Sequence, residues 1–299
     1  MRTFKGILSL ILYVVNLIGL AIIVLFAAFI ALLMPTRGSK KYIQEHVLRR
    51  MPIIFARVNR WIMAISTQDR WDVAGTGNLK KNQWYAILSN HCSWIDILVL
   101  SKIFDNRLPP LKFFMKKALL WQLPFAGLAC YVLNYPFMSR HSRAEIKKNP
   151  QLKNKDMEST KKACLRFRQY PGALINFIES TRFTAEKRER QQSPFQHLLK
   201  PRAGGISMTI QELHDLLSGI VNVTIYYPKK IPSVWEFACG RFDRVVVRYE
   251  CLPITPDLIG DYNNDREFRA YLQQWLNNLW SQKDALLTRF VEEYEHQSN

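Results

Sequence analysis

Cysteine is scarce in this sequence, which contains five in 299 residues, at positions 92, 130, 164, 239 and 251. The number is odd, and no two of them form a C-x-x-C pair. This usage argues against a disulfide framework and against a structural zinc site, and it is typical of a reducing compartment. Internal repeats and low-complexity tracts are also lacking. With 48% hydrophobic and 22% charged residues, the composition indicates a globular protein rather than a disordered one.

Acidic residues are few: 24 Asp and Glu stand against 42 Lys and Arg, which gives a formal net charge of +18. Such an excess predicts an anionic partner, either a nucleic acid or a phospholipid surface. The sequence contains no helix-turn-helix, RNA-recognition or zinc signature that would support binding to nucleic acid. Because much of the positive charge flanks a long apolar segment, we expect an anionic phospholipid membrane as the partner and no nucleic acid.

The apolar segment lies near the N-terminus, where residues 7–34 contain no charged side chain. As a helix it would be about 42 Å long, more than the hydrocarbon core of a bilayer requires. The run is too long for the apolar part of a signal peptide, and the Lys and Arg residues after it resemble a stop-transfer signal. The segment either spans the bilayer once or enters it and returns. In both cases the positive-inside rule predicts that the body of the protein lies on the cytoplasmic face.

Residues 42–67 show an amphipathic helical pattern, with apolar residues at spacings of three and four opposed by arginines. This pattern fits a helix packed on a domain, but its position favours a helix at the membrane interface, with the arginines toward anionic headgroups. Pro52 kinks this helix or marks its true start. We therefore divide the chain into a membrane anchor with its amphipathic helix, residues 1–70, and a second domain, residues 71–299.

The second domain alternates short apolar strands with helical segments. Four strand-like segments, residues 84–88, 111–117, 135–140 and 173–178, end at or just before polar side chains. In an open α/β sheet, ligands bind at the carboxyl ends of the strands. We therefore predict an α/β fold with a mixed central sheet flanked by helices. The pattern also predicts about one helix over residues 121–132, with breakers at Pro124 and Gly127. It further predicts a surface loop over 141–158, a turn at 201–205 and a long amphipathic helix over 268–290.

The first of these strands leads to a histidine and an aspartate, His91 and Asp96. A histidine can accept a proton near neutral pH, and an aspartate bonded to its other ring N–H would fix the tautomer. Residues five apart do not share a helix face, so the backbone must turn between them. Ser93 would supply that turn as the N-cap of a helix that starts at Trp94. On these residues alone, a catalytic dyad and a helix cap beside a core histidine are equally supported.

Two other chemistries at this strand end are less well supported. A nucleophilic Cys92 activated by His91 fails on geometry, since adjacent side chains normally point apart. A metal site formed by His91 and Asp96 lacks a third and a fourth ligand nearby. We therefore expect neither a metal nor another bound cofactor.

Together these segments resemble the glycerophospholipid acyltransferase family, whose best-known members are the 1-acylglycerol-3-phosphate acyltransferases. The Asn-His-x4-Asp motif of the family matches residues 90–96. The family's lysine after a strand and its aromatic-x-x-Arg motif are similar to Lys116 and Phe137–Arg140, and its Phe-Pro-Glu-Gly-Thr-Arg block is similar to Phe177–Arg182. The resemblance covers about residues 82–290 and is nearest to the lysocardiolipin acyltransferase branch.

The resemblance implies transfer of an acyl group from acyl-CoA or acyl carrier protein, as co-substrate, to the free hydroxyl of a lysophospholipid. The expected acceptor is 1-acylglycerol-3-phosphate, which gives phosphatidic acid, and the expected location is the bacterial inner membrane. His91 is the expected general base, oriented by Asp96, with no covalent intermediate. Arg182 would bind the acceptor phosphate in a bidentate manner. The other residues expected to bind substrate are Lys116, Arg140, Glu179, Ser180 and Thr181.

The chain departs from the family pattern at two positions, where Ser180 replaces a glycine and Ile178 replaces a proline. Because serine is small, we expect a changed acceptor preference or rate rather than a loss of activity. Backbone N–H groups near Ser93 or at the Glu179 turn are candidates to stabilise the oxyanion. Two alternatives remain open: an acyltransferase for lysocardiolipin, lysophosphatidylglycerol or a glycolipid, and a membrane-anchored scaffold without catalytic activity.

Overall fold

A six-stranded sheet forms the centre of the computed structural model, which describes residues 1–67, 70–138, 148–149 and 151–296. Its strands are β1 (Trp71–Thr76), β2 (Trp84–Ser89), β3 (Leu111–Phe113), β6 (Ala173–Phe177), β7 (Leu217–Tyr226) and β8 (Val245–Leu252). They lie in the order β1-β8-β7-β2-β6-β3. Neighbouring strands are parallel except for the antiparallel pair β7 and β8. A separate parallel pair is formed by β4 (Met115–Lys116) and β5 (Phe137–Met138).

Helices surround the sheet. In the part of the chain that the structure describes they are α1 (Arg2–Leu33), α2 (Arg37–His46), α3 (Met51–Ala64), α4 (Asp96–Phe104), α5 (Leu119–Gln122), α6 (Ala126–Val132), α7 (Gln151–Phe167), α8 (Ala185–Arg190), α9 (Ala203–Leu213), α10 (Val234–Ala238) and α11 (Arg266–His296). Two short 3-10 helices cover Leu48–Arg50 and Pro256–Leu258.

Two hydrophobic cores lie on opposite faces of the sheet. In one of them Leu88 of β2 packs with Phe167 of α7 and Trp280 of α11. In the other, Ile87 of β2 packs with Met63 of α3 and with residues of α4. Adjacent strand residues enter different cores because side chains alternate along a strand, and a mainly parallel sheet requires cover on both faces. The prediction of a mixed α/β sheet flanked by helices is confirmed.

The carboxyl ends of β2, β6 and β7 lie side by side. Ser89, the last residue of β2, is in register with Phe177 at the end of β6 and with Val223 of β7. Because the three strands are parallel, the segments that follow Ser89 and Phe177 leave the same edge of the sheet. The fold therefore brings the histidine segment and the glutamate segment of the sequence together at one site.

Helix α1 packs along the folded body. Its buried residues are Gly6, Ser9, Asn16, Ala21, Val24 and Ala27, and most of them are small or polar. Asn16 donates from Nδ2 to Asn59 Oδ1 of α3 at 2.8 Å. Further along, Val24 packs with Ala129 of α6. By length and apolar composition, α1 is the one helix among the described residues that is suited to crossing a membrane.

The amphipathic segment predicted over residues 42–67 is interrupted. Its first part belongs to α2, which ends at His46, and a 3-10 turn then leads into α3. Pro52 lies in the first turn of α3, where its missing N–H costs no helical hydrogen bond. Of the two roles expected for this proline, the structure therefore supports the start of a helix.

The helical segment predicted over residues 121–132 is divided into α5 and α6 at Pro124, one of its two expected breakers, whereas Gly127, the other, lies inside α6. Two other local predictions were wrong. The surface loop predicted over residues 141–158 contains the start of α7 at Gln151, and the turn predicted at 201–205 contains the start of α9 at Ala203. The first turns of α7 are polar, so the local pattern gave no helical signal there.

Candidate active site

His91 and Asp96 lie together just beyond β2. His91 Nδ1 is 2.8 Å from Asp96 Oδ2. The prediction that a helix starts at Trp94 with Ser93 as its N-cap was wrong, because α4 starts at Asp96. A tight turn makes the change of direction instead: the Asp96 carboxylate accepts from Ser93 N at 2.9 Å, and Ser93 Oγ accepts from Ile95 N at 3.4 Å. This turn folds the aspartate back toward the histidine.

Four hydrogen bonds hold the Asp96 carboxylate, which is fully buried. Oδ2 accepts from His91, from Ser93 N and from Cys92 N, the last at 2.7 Å. Oδ1 accepts from the hydroxyl of Tyr227 at 2.7 Å. Burial and the nearby Asp96 charge both raise the pKa of Tyr227 well above its ordinary value, so the phenol stays a donor. Asp96 is therefore fixed in one orientation before any substrate arrives.

Sequence reasoning missed Tyr227, which is 131 residues from Asp96 along the chain. Its position just after β7 was the only signal, since residues at carboxyl strand ends meet at one edge. The structure also explains Asn90, whose side chain donates to Ile225 O and accepts from Ile225 N, each at 2.8 Å. Asn90 therefore ties the end of β2 to the end of β7 and keeps Tyr227 beside Asp96.

The ring of His91 is held on its other side by Phe177. The two rings stack with centroids 4.0 Å apart and an interplanar angle of 18°. The side chain remains 14% exposed, and Nε2 has no hydrogen-bond partner among the described residues. When Nδ1–H donates to the aspartate, Nε2 carries the lone pair. The histidine is thus oriented to accept a proton from a group that approaches from the open side.

Glu179 is fully buried just after β6, whose end is in register with the end of β2. Its Oε2 accepts from Leu199 N at 3.3 Å. Burial raises the pKa of Glu179 to about 8, although backbone hydrogen bonding and the nearby charge of Lys283 act in the opposite direction. Glu179 therefore lies in the interior, away from solvent.

The next three residues form a turn toward solvent. Ser180 adopts φ = +61°, in the left-handed region that favours glycine, at the position where the family pattern has glycine. Thr181 Oγ1 accepts from Lys187 Nζ at 2.8 Å. Arg182 is exposed, with its guanidinium 4.6 Å from the ring centroid of Trp94. The backbone N–H of Phe183 donates to His91 O at 2.7 Å, so this turn is fastened directly to the histidine loop.

Two further cations, Lys116 and Arg140, were predicted to bind substrate. Lys116 is exposed and lies on β4, in the small two-stranded sheet. Arg140 lies outside the described residues. Of the predicted cationic residues, Arg182 is therefore the one that the described contacts join to the His91 segment.

The geometry bears on two other candidates at this strand end: Cys92 as a nucleophile, and backbone N–H groups near Ser93 as an oxyanion site. Burial is the main cause that raises the pKa of Cys92 well above its ordinary value, and the Asp96 and Glu179 charges raise it further. These causes disfavour the thiolate that nucleophilic catalysis needs. Of the backbone N–H groups near Ser93 that were candidates to bind an oxyanion, those of Cys92 and Ser93 already donate to Asp96, at 2.7 and 2.9 Å.

Comparisons with known proteins agree with these features. The sequence profile of the family described as Acyltransferase matches residues 70–227, slightly more than half of the chain. The chain is 26% identical over 139 residues to the 2-acyl-1-lysophosphatidylinositol acyltransferase of Saccharomyces cerevisiae, a match that covers 40% of this chain and 33% of that protein. The chain therefore spans about a third of the length of that relative. Its fold is similar to the crystal structure of the 1-acyl-sn-glycerophosphate acyltransferase PlsC from Thermotoga maritima, with a TM-score of 0.50, 17% identity and 98% coverage of each chain.

Proposed function

This chain belongs to the acyltransferase family, and on that basis we propose that it transfers a fatty acyl group from an acyl thioester to the free hydroxyl of a lysophospholipid. The proposed acceptor is 1-acylglycerol-3-phosphate, which yields phosphatidic acid, and the proposed donor is acyl-CoA or acyl carrier protein. The proposal depends above all on His91 and Asp96, which are bonded at 2.8 Å at the carboxyl end of the sheet. An aspartate-oriented histidine is a suitable base for this reaction.

In the proposed reaction, His91 Nε2 takes the proton from the acceptor hydroxyl as its oxygen attacks the thioester carbonyl carbon. Asp96 stabilises the imidazolium that forms, through the Nδ1–H bond. The tetrahedral intermediate then collapses, the C–S bond breaks, and the imidazolium returns its proton to the departing thiolate. The products are the new ester and the free thiol. No residue of the chain forms a covalent bond with the acyl group.

Arg182 is the proposed ligand of the acceptor phosphate. It is exposed, it stacks on Trp94, and its loop is joined to the His91 loop through the 2.7 Å bond from Phe183 N. A guanidinium can bind two phosphate oxygens at once. Lys187 lies on α8, which follows this loop; it donates to Arg182 O at 2.9 Å and adds positive charge near the headgroup. Lys116 and Arg140 remain proposed contributors.

The reaction can be tested with membranes that carry the protein. Labelled acyl-CoA and acyl carrier protein would be offered in turn with a panel of lysophospholipids that differ in headgroup, lysocardiolipin and lysophosphatidylglycerol included. We expect label on 1-acylglycerol-3-phosphate, and loss of that label in His91→Ala. His214→Ala is the matched control, because His214 is an exposed histidine whose Nδ1 is 3.2 Å from Gln211 O.

The outcomes distinguish the proposed reaction from a scaffold without activity and from an acyltransferase with another acceptor. If His91→Ala incorporates as much label as the unmodified chain at equal abundance, the catalytic proposal fails and the scaffold alternative gains. If label enters only lysocardiolipin, lysophosphatidylglycerol or a glycolipid, the acceptor is wrong while the reaction class stands.

We also propose that the protein works at the cytoplasmic face of the bacterial inner membrane, with α1 lying along the membrane surface. The face of α1 opposite the body is apolar and exposed, with members that include Phe4, Ile11, Val15, Ile22, Phe26, Phe29 and Leu33. The other face contacts the body at Gly6, beside Cys239, at Asn16 and at Val24. A helix that contacts the folded body along most of its length favours docking in the membrane plane over crossing it.

Single cysteines introduced by Arg2→Cys, at the start of α1, and by Gly38→Cys, in α2 just after α1, would test this orientation. Sealed inside-out vesicles would be treated with an impermeant maleimide, and the unmodified chain would supply the background from its native cysteines. If α1 lies in the membrane plane, both sites are labelled. Labelling of Gly38→Cys alone would show that α1 crosses the bilayer.

A further inference from the structure

A basic groove lies between α2 and the segment that leads into β6. It has a volume of about 520 Å³ and is lined by Arg37, Lys40, Lys41, Gln44, Gln169 and Tyr170. Tyr170 precedes the first residue of β6, whereas His91 follows the last residue of the parallel neighbour β2. Because β6 is five residues long, the groove lies about 15–20 Å from the histidine, at the opposite edge of the sheet.

A smaller cavity of about 60 Å³ adjoins the groove and shares Gln44 and Tyr170 with it. Two more cations line this cavity. The guanidinium of Arg49 lies 5.4 Å from the ring centroid of Tyr170. Lys112 of β3 donates from Nζ to Asn134 O at 3.3 Å. Cations from α2, from the 3-10 helix Leu48–Arg50 and from β3 therefore converge on one place.

Acidic side chains do not balance this positive charge. None of the described residues that line the two cavities is Asp or Glu. Of the three lining cations on α2, Lys41 alone has an acidic partner among the described residues, Glu45 at 3.7 Å. Lys112 is 5% exposed, and burial lowers its pKa to about 8. A buried ammonium that donates to one carbonyl oxygen is destabilising, and an anion in the cavity would offset that cost.

Apolar side chains form much of the smaller cavity, among them Leu48 and Leu133. Both pack in one cluster with Val24 of α1, the helix whose exposed face we place in the membrane surface. The cavity also shares Pro52 and Pro110 with a larger cavity of about 300 Å³ that is lined mainly by apolar side chains. A cationic groove beside apolar cavities and the proposed membrane helix fits a phospholipid headgroup better than a free phosphate ion.

We propose that this groove binds the phosphate of an anionic phospholipid, at a second lipid site separate from the acceptor site at Arg182. Arg37 and Arg49 can each bind two phosphate oxygens, and Lys112 can donate from the smaller cavity. The proposal rests on the membrane placement of α1 but not on acyl transfer, because the groove and His91 lie at opposite edges of the sheet. The bound lipid would hold this edge of the sheet at the bilayer.

Binding would be measured by isothermal titration calorimetry on the full chain in a neutral detergent. The probes are dihexanoyl phosphatidylglycerol, which is anionic, dihexanoyl phosphatidylcholine, which has no net charge, and inorganic phosphate. Every protein in the series carries Arg182→Gln, so that the proposed acceptor site does not contribute to the heat of binding. The test variants are Arg49→Gln and Lys112→Met.

Each test variant has a matched control. Arg50→Gln removes the neighbouring charge on the same 3-10 helix, and Arg50 is not among the described residues that line the two cavities. Lys283→Met removes a lysine of α11 that is also buried, at 2% exposure, and that also donates to a backbone oxygen, Val223 O. The melting temperature of each variant reports whether it is folded. Arg49 is exposed, so Arg49→Gln tests the site even if Lys112→Met does not fold.

We expect saturable binding of phosphatidylglycerol, with a Kd that rises about tenfold in Arg49→Gln and in Lys112→Met, the equivalent of one charge-assisted hydrogen bond. The two controls should stay within about twofold. Equal weakening in Arg49→Gln and Arg50→Gln would mean diffuse attraction to surface charge and would overturn the proposal. Equally tight binding of phosphatidylcholine would also overturn it. If inorganic phosphate binds as tightly as phosphatidylglycerol, the groove is a site for free phosphate and the lipid assignment is wrong.

Discussion

The two loops that form the candidate active site are built in different ways. In the loop after β2, both carboxylate oxygens of Asp96 are hydrogen bonded and the His91 ring is held between Asp96 and Phe177. In the loop after β6, the buried Glu179 has an oxygen with no partner among the described residues, and Ser180 adopts a left-handed conformation. In the first loop the carboxylate is fully hydrogen bonded, whereas the second loop contains an unpaired carboxylate oxygen and local backbone strain.

This difference matches the two tasks that the proposed function assigns to the loops. Proton transfer needs one geometry, held before the substrate binds, and the fully hydrogen-bonded Asp96 carboxylate provides it. Headgroup binding tolerates variation, and the second loop ends in an exposed Arg182 beside Trp94. The chain departs from the family pattern in the second loop, at Ile178 and Ser180, while the first keeps the Asn-His-x4-Asp motif. We therefore expect substitutions in the first loop to change kcat, and those in the second to change acceptor binding or stability.

The largest effect is expected for Asp96→Asn. An asparagine can keep the shape of the turn but cannot stabilise the imidazolium, so kcat should fall by about 10³-fold, within the range of general-base catalysis. Asp105→Asn at the other end of α4 is the control, because Asp105 is also buried and pairs with Arg60 at 3.0 Å. The control should lower the melting temperature and leave kcat unchanged. If Asp96→Asn lowers kcat by less than tenfold, the first loop is not specialised for proton transfer and the proposed difference between the two loops is wrong.

The next largest effect is expected for Arg182→Gln. Loss of the proposed phosphate contact should raise KM for a phosphate-bearing acceptor about 10- to 100-fold, the equivalent of one or two charge-assisted hydrogen bonds. The KM for a neutral monoacylglycerol should change little. Arg190→Gln at the exposed end of α8 controls for the loss of one surface charge. If Arg182→Gln lowers kcat and leaves KM unchanged, Arg182 serves the chemical step and the division between the loops is wrong.

A smaller effect is expected for Tyr227→Phe, which removes the donor to Asp96 Oδ1. One buried carboxylate oxygen then loses its partner, so kcat should fall about tenfold and the free energy of unfolding by about 1–3 kcal/mol. Tyr271→Phe is the control, since Tyr271 also donates to an aspartate, Asp257, but at an exposed site on α11. Equal kcat values for the two variants would mean that the phenol does not orient the dyad.

Features that depend on residues close together in the chain could be predicted from the sequence. His91 and Asp96 are five residues apart, so the turn between them could be inferred, although the start of α4 was placed two residues too early. The order of the motifs predicted the glycerophospholipid acyltransferase family, and the family match confirms it. Parallel strand ends also predicted that the glutamate and histidine segments would meet. These inferences need only local pattern and the general rule for α/β sheets.

The sequence could not predict contacts made across long separations. Tyr227 reaches Asp96 only because Asn90 joins the ends of β2 and β7. Lys283 occupies a position in an amphipathic helix that local pattern assigns to the surface as readily as to the interior. Its burial follows from the packing of α11 on the sheet, which depends on the order of the strands. That order cannot be deduced from periodicity.

The smallest effect is expected for Ser180→Gly, and its sign is informative. At φ = +61° a serine is strained by about 1 kcal/mol, whereas glycine adopts this conformation freely. Ser180→Gly should therefore raise the free energy of unfolding by about 0.5–1 kcal/mol and leave kcat and KM within about threefold. Ser281→Gly within α11 is the control and should lower stability by about 0.5 kcal/mol, because glycine weakens a helix interior. If Ser180→Gly raises the free energy of unfolding and Ser281→Gly lowers it, the backbone strain lies in the loop after β6. If both variants lower the free energy of unfolding, the Ser180 side chain stabilises the protein by more than its backbone strain destabilises it. Contacts of that side chain would then offset the cost of having serine where the family pattern has glycine.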